Sequence, residues 1–228
     1  MKLYSFFMSS CAWRVRVVLQ AKGVEHEYVA VNLLTQEQRD AAFLRVNPLG
    51  QVPVLVDGDL VLTQSLAMLE YLEEKYPTPA LLPSETAQRA QVRNICEMIN
   101  SGMQPVQSGA FRRLNEIGGE GAGLAWGREA IERGFEALEA VLACCAGRCC
   151  VGDRLSLADC CLVPQVFNAR RRFGVDVSRF PTISRLQDAL LQRPEFVASH
   201  PARMPDCPAG FSADAPGQGR AAATAAAQ

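Results

Sequence analysis

Three side chains that can act as nucleophiles or hydrogen-bond donors follow one another near the N-terminus: Ser9, Ser10 and Cys11. They lie between an apolar run and a helical pattern, so the free N–H groups of a first helical turn are expected beside them. A thiolate held there gains about 0.3–1 kcal/mol from the helix dipole, and a hydroxyl donor adds about 1.5–3 kcal/mol. Since one pKa unit corresponds to about 1.36 kcal/mol, the pKa of a thiol at this position would fall from about 8.5 by about 1–3 units.

The same residues also have a purely structural interpretation. Serine is a preferred N-cap residue, and cysteine often packs in a core as a small hydrophobe. The pattern by itself favours this combination of a helix cap and a buried cysteine over a thiolate site. Both interpretations stay open until the surrounding elements are considered.

The elements that must position these residues are predicted from hydrophobic periodicity and turn signals. A buried strand at 2–7 precedes a helix at 11–22 capped by Ser9 or Ser10, and Asp57-Gly58 between two apolar runs marks a hairpin. The other elements before the first linker are predicted as a strand at 28–32, a helix at 36–45, strands at 52–56 and 60–63, and a helix at 65–76. This order predicts a thioredoxin-like α/β layer with one parallel βαβ unit and an antiparallel edge.

Beyond a linker at 76–86 that contains three prolines, the patterns are helical. Helices are predicted at 87–115, 124–146, 156–172 and 181–192. Ser156 and Asp159 form a capping-box variant at the start of the third of these helices. We therefore predict an α/β N-terminal layer followed by an all-α C-terminal helical bundle. The predicted domains are 1–82 and 87–205, with an Ala-, Gly- and Pro-rich tail at 206–228 that is expected to be disordered.

Overall composition excludes several classes of partner. The 228 residues are 49% hydrophobic and carry a formal net charge of −1. Such a chain lacks the basic excess that a polyanion requires, so we expect no nucleic acid partner. Arg14 and Arg16 interrupt the apolar N-terminal run, so we expect no secretory signal, no membrane partner and a cytoplasmic location.

The nine cysteines need a separate explanation. Six of them form adjacent pairs, at 144/145, 149/150 and 160/161. Zinc sites usually space their thiolates as C-x₂₋₄-C, often with histidine, whereas His26 and His200 are distant in sequence from these pairs. We expect free thiols without a metal, and a metal held by the segment 144–150 is the alternative.

Eight short segments combine residues in a way that points to one family. They are SSCAWRVR (9–16), NPLGQVPVL (47–55), QSLAMLEYLEE (64–74), PTPALLP (77–83), QPVQ (104–107), VGDRLSLADCCLVPQV (151–166), PTIS (181–184) and SHPARMPDCP (199–208). Together they resemble the zeta class of glutathione transferases. The resemblance implies the glutathione transferase fold, glutathione as the cofactor of the N-terminal domain, and a homodimer. It further implies transferase activity and a glutathione-dependent cis–trans isomerisation of maleylacetoacetate to fumarylacetoacetate in tyrosine and phenylalanine catabolism.

The resemblance also implies roles for single residues around glutathione. Ser9 would donate a hydrogen bond to the glutathione sulfur, with Ser10 and Cys11 beside it in the catalytic group. The residues implied to bind glutathione are Val52, Pro53, Gln64, Ser65 and Gln107. Val52–Pro53 would be a cis peptide bond, and the γ-glutamyl carboxylate would lie at the helix N-terminus that begins near Ser65.

Arginines are the candidates for binding a diacid substrate, because the guanidinium forms bidentate pairs with carboxylates. Arg14 and one arginine of the run Arg170, Arg171 and Arg172 are implied, with Gln107 as a further candidate. Alignment with the family favours Arg172 within the run. A solvated helix face is the alternative explanation for three consecutive arginines.

Two features depart from the family pattern. Met8 occupies a position where the family usually has an arginine, and the run before Phe173 has three arginines where the family has one. The missing cation favours an alternative function, a glutathione transferase or dehalogenase that acts on small α-halo acids. A non-catalytic interaction module and thiol–disulfide exchange by Cys11 are further alternatives. The intact set of residues implied to bind glutathione argues against a non-catalytic module. The absence of Cys-x-x-Cys argues against thiol–disulfide exchange.

Overall fold

The computed structural model describes residues 1–107 and 109–212. The described residues form two compact units: the range Met1–Pro79 together with residues 193–212, and the range Ala80–Gln192. This division differs from the predicted domains at the C-terminal side, where the segment after Arg193 joins the first unit.

The described part of the first unit is built around a four-stranded sheet in the order β2-β1-β3-β4. β1 (Lys2–Ser5) pairs in parallel with β2 (Glu27–Ala30), whereas β3 (Val54–Asp57) is antiparallel to both β1 and β4 (Leu60–Leu62). Gly58 turns the β3–β4 hairpin with a φ of +61°, a conformation that glycine adopts without a Cβ clash. The predicted thioredoxin-like layer is confirmed, including the parallel first pair and the antiparallel edge.

Helices α1 (Ser10–Ala21), α2 (Ala41–Val46) and α3 (Ser65–Lys75) connect these strands. Phe43 of α2 packs in a core cluster with Val31 and Val54. α1 contacts α3 and is also covered by the C-terminal part of the unit, so most of its residues are buried. A helix enclosed in this way must find internal partners for every polar side chain that it carries.

The described part of the second unit is built from helices. They are α4 (Thr86–Asn100), α5 (Gly109–Gly118), α6 (Ala122–Cys145), α7 (Leu157–Phe173) and α8 (Pro181–Leu191), with a 3₁₀ turn at Gln104–Gln107. α7 packs against α4, α6 and α8, and its residues 157–166 are all buried. The predicted all-α class is confirmed. The single helix predicted at 87–115 is wrong, because the chain turns after Asn100 through Gly102 and Pro105.

The predicted capping box holds the start of α7. Asp159 is fully buried and accepts hydrogen bonds from Ser156 N and Ser156 Oγ, both at 2.8 Å, and from Cys150 N at 2.7 Å. Burial raises the pKa of Asp159, and these hydrogen bonds act in the opposite direction. The carboxylate thereby ties the loop that carries Cys150 to α7.

The nine cysteines are all free thiols. Cys149, Cys150, Cys160 and Cys161 are buried, and burial raises the pKa of the Cys150 thiol well above its ordinary value. No cluster of three or more His, Cys, Asp or Glu that could hold a metal occurs among the residues described. Nor does any described helix combine the length and the apolar character needed to cross a membrane.

After the helical unit, the chain returns to the first unit as α9 (Pro194–Ser199) and a 3₁₀ turn at Pro201–Arg203. α9 packs on α1, where Trp13 Nε1 donates to Ser199 Oγ at 3.0 Å. Phe196 of α9 is fully buried. The segment after Arg193 therefore completes the core of the first unit.

The tail predicted to be disordered over 206–228 begins with residues that contact this unit. Asp206 accepts a hydrogen bond from Phe7 N at 2.9 Å, and the ring of Phe211 meets the ring of Phe7 edge-on at 5.3 Å. Composition alone does not reveal these contacts, because their partners lie at the other end of the chain. Residues 213–228 lie outside the described part of the structure.

Candidate active site

Ser9, Ser10 and Cys11 lie at the N-terminus of α1. Ser9 is the N-cap, with φ −71° and ψ 113°, and its Oγ accepts a hydrogen bond from Ala12 N at 3.2 Å. A serine hydroxyl that accepts in this way still has its own hydrogen to donate. Ser9 and Cys11 are half-buried, whereas Ser10 is 7% exposed. The cap and the thiolate-stabilising hydroxyl are therefore compatible functions of one residue.

The turn that leads into Ser9 is held by a residue that sequence analysis missed. Arg16 is buried, and its guanidinium donates to Phe6 O at 3.2 Å, to Phe7 O at 3.0 Å and to Ser5 Oγ at 3.0 Å. Burial lowers the pKa of Arg16 to about 10, which leaves it protonated at neutral pH. Its only signal in the sequence is that it ends the motif SSCAWRVR.

The Val52–Pro53 peptide bond is cis, as predicted. Val52 is half-buried and Pro53 is buried directly before β3. Asn47 organises the preceding loop, because its side chain donates to Gln51 O at 2.8 Å and accepts from Leu49 N at 3.0 Å. Asn47 is completely buried and was not among the predicted site residues.

Gln64 and Ser65 begin α3. Gln64 is the N-cap in an extended conformation, and its exposed side chain makes no capping hydrogen bond. Ser65 is 5% exposed, and its Oγ accepts from Arg14 Nη1 at 3.2 Å. A helix N-terminus with a guanidinium beside it is an electropositive site suited to a carboxylate.

Arg14 does not lie where a substrate-binding arginine is expected. Its side chain is completely buried, and its hydrogen bond to Ser65 links α1 to the start of α3. A guanidinium without solvent access cannot pair directly with a substrate carboxylate. The structure therefore places Arg14 behind Ser65, as a support for that end of α3.

Gln107 lies in the second unit and is 2% exposed. Its Nε2 donates to Gln165 Oε1 at 2.8 Å, and its Oε1 accepts from Asn168 Nδ2 at 2.6 Å. Both ends of the amide are thus used within this unit. The contacts make Gln107 a link between the 3₁₀ turn and α7, and they do not support the predicted contact with glutathione.

The three consecutive arginines at the end of α7 have different environments. Arg170 and Arg172 are exposed, whereas Arg171 is buried. Arg172 Nη1 donates to Gln107 O at 2.7 Å, and its guanidinium lies 5.3 Å from the centre of the Phe173 ring. Of the three side chains, Arg172 combines solvent access with an orientation fixed by a neighbour, which is what binding a carboxylate requires.

A cavity of about 240 Å³ lies in the first unit between the C-terminal segment and the chain after β2. Phe6, Phe7, Leu34 and Pro208 provide its apolar lining, and Asp206 is one of its polar groups. None of the predicted site residues lines it. The cavity therefore lies beside the turn before Ser9 and is separate from the candidate active site.

Comparison with known proteins defines the class to which this fold and site belong. The family model for the N-terminal domain of glutathione S-transferases matches residues 1–74, and the model for the C-terminal domain matches residues 125–194. The curated maleylacetoacetate isomerase of Rattus norvegicus is 48% identical over 209 residues, which cover 91% of this chain and 95% of the rat protein.

Solved structures agree with this assignment. A bacterial maleyl pyruvate isomerase described as a zeta-class glutathione S-transferase superposes with a TM-score of 0.87 at 41% identity, covering 91% of this chain and all of the other (100%). Maleylacetoacetate isomerase from Anaeromyxobacter dehalogenans, with dicarboxyethyl glutathione and citrate in its active site, gives a TM-score of 0.82 at 47% identity, covering 91% and 97%. The chain therefore belongs to the glutathione S-transferase family, and within it to the zeta class.

Proposed function

We propose that this chain is a glutathione-dependent isomerase that converts maleylacetoacetate to fumarylacetoacetate, with accompanying glutathione transferase activity. The observation that carries the proposal is that two helices of the first unit each begin at a serine hydroxyl. α1 begins at the Ser9–Ser10–Cys11 group, and α3 begins at Ser65 with the buried Arg14 beside it. The name of the rat relative, and the glutathione adduct bound by the Anaeromyxobacter relative, support the same reaction.

The residues of the first unit fit glutathione as a cofactor. The N-terminus of α3 and Ser65 would hold the γ-glutamyl carboxylate, and the segment at Val52–Pro53 would run along the peptide backbone. Arg14 keeps the Ser65 hydroxyl in place and adds positive charge behind it. When bound, glutathione supplies a thiolate that adds reversibly to the substrate double bond, which is then single and free to rotate.

Ser9 is the residue that we assign to stabilising the thiolate. Its hydroxyl has a hydrogen to donate while its oxygen caps α1. The charge-assisted bond contributes about 1.5–3 kcal/mol and the helix dipole about 0.3–1 kcal/mol, enough to lower the thiol pKa by about 1–3 units. Ser10 and Cys11 belong to the same group. We assign Cys11 to orienting the substrate rather than to lowering the pKa of the glutathione thiol.

The isomerisation also needs groups that stabilise the enolate-like charge on the substrate, because uniform binding does not accelerate the chemical step. Arg172 is the candidate for holding a substrate carboxylate, given its exposure and its orientation by Gln107 O. The citrate and dicarboxyethyl group bound by the Anaeromyxobacter relative are rich in carboxylates, which supports an acidic electrophile. We further propose that the protein is a cytoplasmic homodimer, since dimers are typical of the family. The name of the rat relative supports a role in tyrosine and phenylalanine catabolism.

The test is glutathione-dependent isomerisation of maleylacetone by the purified protein, compared with its turnover of a small α-halo acid. We expect isomerisation to have the larger kcat/KM and to require glutathione. No isomerisation above the rate with glutathione alone would overturn the proposed reaction. Isomerisation that persists without glutathione but disappears in Cys11→Ala would instead indicate that the Cys11 thiolate itself adds to the double bond.

A second function, transfer or dehalogenation on α-halo acids, is favoured by one observation, the presence of Met8 before Ser9. If the natural substrate is a diacid, Met8→Arg should lower KM for maleylacetoacetate because it adds a cation near the candidate site. If the site is adapted to less acidic electrophiles, the same change should reduce turnover of the halo acid. Leu60→Arg, which places the same cation at an exposed apolar residue of β4 in the first unit, is the control and should affect neither.

A further inference from the structure

Asp206 lies in the C-terminal segment, but its carboxylate reaches the turn that precedes Ser9. Its Oδ2 accepts from Phe7 N at 2.9 Å, and its Oδ1 accepts from Tyr28 Oη at 2.7 Å. Tyr28 belongs to β2, and burial raises its pKa well above the ordinary value, so the phenol keeps the hydrogen that it donates. Both carboxylate oxygens therefore accept a hydrogen bond, one from the sheet and one from the turn before Ser9.

The bond to Phe7 N acts on a single peptide plane. The carbonyl of the same peptide, Phe6 O, accepts from Ser9 N at 2.9 Å and from Arg16 Nη1 at 3.2 Å. The peptide between Phe6 and Phe7 is thus held on its N–H side by Asp206 and on its C=O side by Arg16 and Ser9. Rotation of this plane would break all three hydrogen bonds and would displace the backbone N–H of Ser9.

The charges favour this arrangement. A carboxylate on the N–H side and a guanidinium on the C=O side complement the dipole of the peptide between them, and hydrogen bonds to charged groups are about twice as strong as neutral ones. The interaction with Asp206 is also one of the effects that favour the charged form of Arg16 despite burial. Phe211, five residues after Asp206, packs its ring on Phe7 and holds the segment against the turn.

We propose that Asp206 is a positioning residue for the reaction, because it orients the Phe6–Phe7 peptide and through it the Ser9 hydroxyl. The inference rests on the proposed function, in which Ser9 stabilises the glutathione thiolate. The proposed positioning residue, Asp206, lies outside both segments that match the family models, residues 1–74 and residues 125–194. The part of the molecule that orients the catalytic serine is thus contributed by the last described stretch of the chain.

The test compares Asp206→Ala with Asp206→Asn. Asparagine can accept from Phe7 N through its carbonyl and donate to Tyr28 Oη through its amide, so it should keep the turn in place.

Asp206→Ala loses both bonds and should lower kcat about 10-fold to 100-fold, since small displacements of catalytic groups have effects of this size. The KM for glutathione should change little, because the α3 end of the site is untouched, and the pKa of bound glutathione should rise, as seen in its ultraviolet thiolate absorbance. Tyr28→Phe keeps the bond to Phe7 N and should have the smaller effect.

Asp57→Ala is the matched control. Asp57 lies in the same unit at the far end of β3 from Pro53, and it also accepts from a tyrosine, Tyr71 Oη, at 2.6 Å. Amide hydrogen exchange, measured without glutathione, should accelerate at Phe7 in Asp206→Ala but not in Asp57→Ala. Unchanged exchange at Phe7, or equal losses of activity in Asp206→Ala and Asp57→Ala without a shift of the thiolate pKa, would overturn the positioning role. A wild-type protein that neither ionises glutathione nor turns over substrate would instead overturn the proposed function, and the exchange data would still decide whether Asp206 holds the turn.

Discussion

At the scale of single residues, the hydroxyl of Ser9 can serve both as a helix cap and as the proposed donor to a thiolate. As N-cap it accepts through an oxygen lone pair, and the proposed bond to the thiolate would use the hydroxyl hydrogen. Ser65 is similar, since its oxygen accepts from Arg14 while its hydrogen remains available to a carboxylate. Each hydroxyl oxygen thus has a protein partner, and in each case the hydroxyl hydrogen is the donor that we propose for the ligand.

Substitution of Ser9 can separate the two functions. Ser9→Ala removes both and should cost about 1 kcal/mol of stability, whereas Ser9→Gly remains an acceptable N-cap and should cost only a few tenths. Both variants should raise the pKa of bound glutathione by about 1–2 units, because each loses the donor. The measurements are thermal unfolding and the ultraviolet thiolate absorbance against pH. A large pKa shift in Ser10→Ala with none in Ser9→Gly would show that Ser10 is the donor.

A second prediction at this scale concerns glutathione binding by Gln64 and Ser65 at the N-terminus of α3. Ser65→Ala and Gln64→Ala should each weaken glutathione binding, and loss of one charge-assisted hydrogen bond worth about 1.5–3 kcal/mol corresponds to roughly 10-fold to 150-fold. Isothermal titration calorimetry provides the affinity. Gln20→Ala, which removes another exposed glutamine of the same unit, should leave it unchanged. Wild-type affinity in both site variants would exclude this helix end as the site of the γ-glutamyl carboxylate.

At the scale of elements, α1 depends on polar partners because it is enclosed on nearly every side. At its C-terminal end, Lys22 Nζ lies 2.7 Å from Glu73 Oε2 of α3, with side chains 0% and 9% exposed. The same ammonium donates to Pro79 O at 3.0 Å, at the end of the N-terminal part of the unit. One lysine thus connects α1, α3 and the segment that follows α3.

Lys22→Met should therefore destabilise the protein by about 3–5 kcal/mol, because it leaves the Glu73 carboxylate buried without its counter-ion. The double variant Lys22→Met, Glu73→Met should regain most of that loss, since an apolar pair of similar volume avoids the uncompensated charge. Lys2→Met is the control: its ion pair with Glu27 is exposed, with side chains 52% and 56% accessible, and should contribute little. Chemical denaturation measures all three. Equal effects of Lys22→Met and Lys2→Met would mean that the Lys22 pair is no more important than a surface pair.

At the scale of the whole molecule, the first unit is assembled from two parts of the chain that are separated by the entire helical unit. Trp13 and Ser199 are hydrogen-bonded across 186 residues, and Phe7 and Asp206 across 199. The N-terminal layer, although it carries most of the predicted site, is therefore incomplete without the segment after Arg193. We therefore expect both the stability of this layer and the position of the turn before Ser9 to depend on that segment.

Truncation tests this dependence. A chain that ends at Gln192 loses the buried Phe196 and the partners of Trp13 and Arg16, and it should fail to bind glutathione and lose the cooperative unfolding of the first unit. A chain that ends at Ser212 should match the full chain in thermal unfolding and in isomerase activity, because the Ala- and Gly-rich composition of 213–228 predicts no core contribution. Normal glutathione affinity in the shorter chain would show that the N-terminal layer is self-sufficient.

Features with a local physical cause could be predicted from the sequence. Alternating and helical periodicities, the Asp57-Gly58 turn, the Ser9 cap and the Ser156–Asp159 box each arise from interactions within a few residues, and all of them are present. Resemblance to the family supplied what periodicity cannot, including the cis bond at Val52–Pro53. The family and the candidate thiolate site were thus accessible from the sequence by itself.

Only the tertiary structure decided which polar groups are enclosed and paired within the fold. Arg14 and Gln107 were predicted to bind ligands, yet each is buried with a protein partner, whereas Arg16 and Asp206 were overlooked and hold the turn before Ser9. Nothing local distinguishes these cases, because an arginine or aspartate has the same side chain whether its partner is a solvent molecule, a substrate or a backbone amide 199 residues away. The choice is made by burial, since a polar group enclosed by the fold must be paired by the fold, and enclosure is a property of the assembled unit.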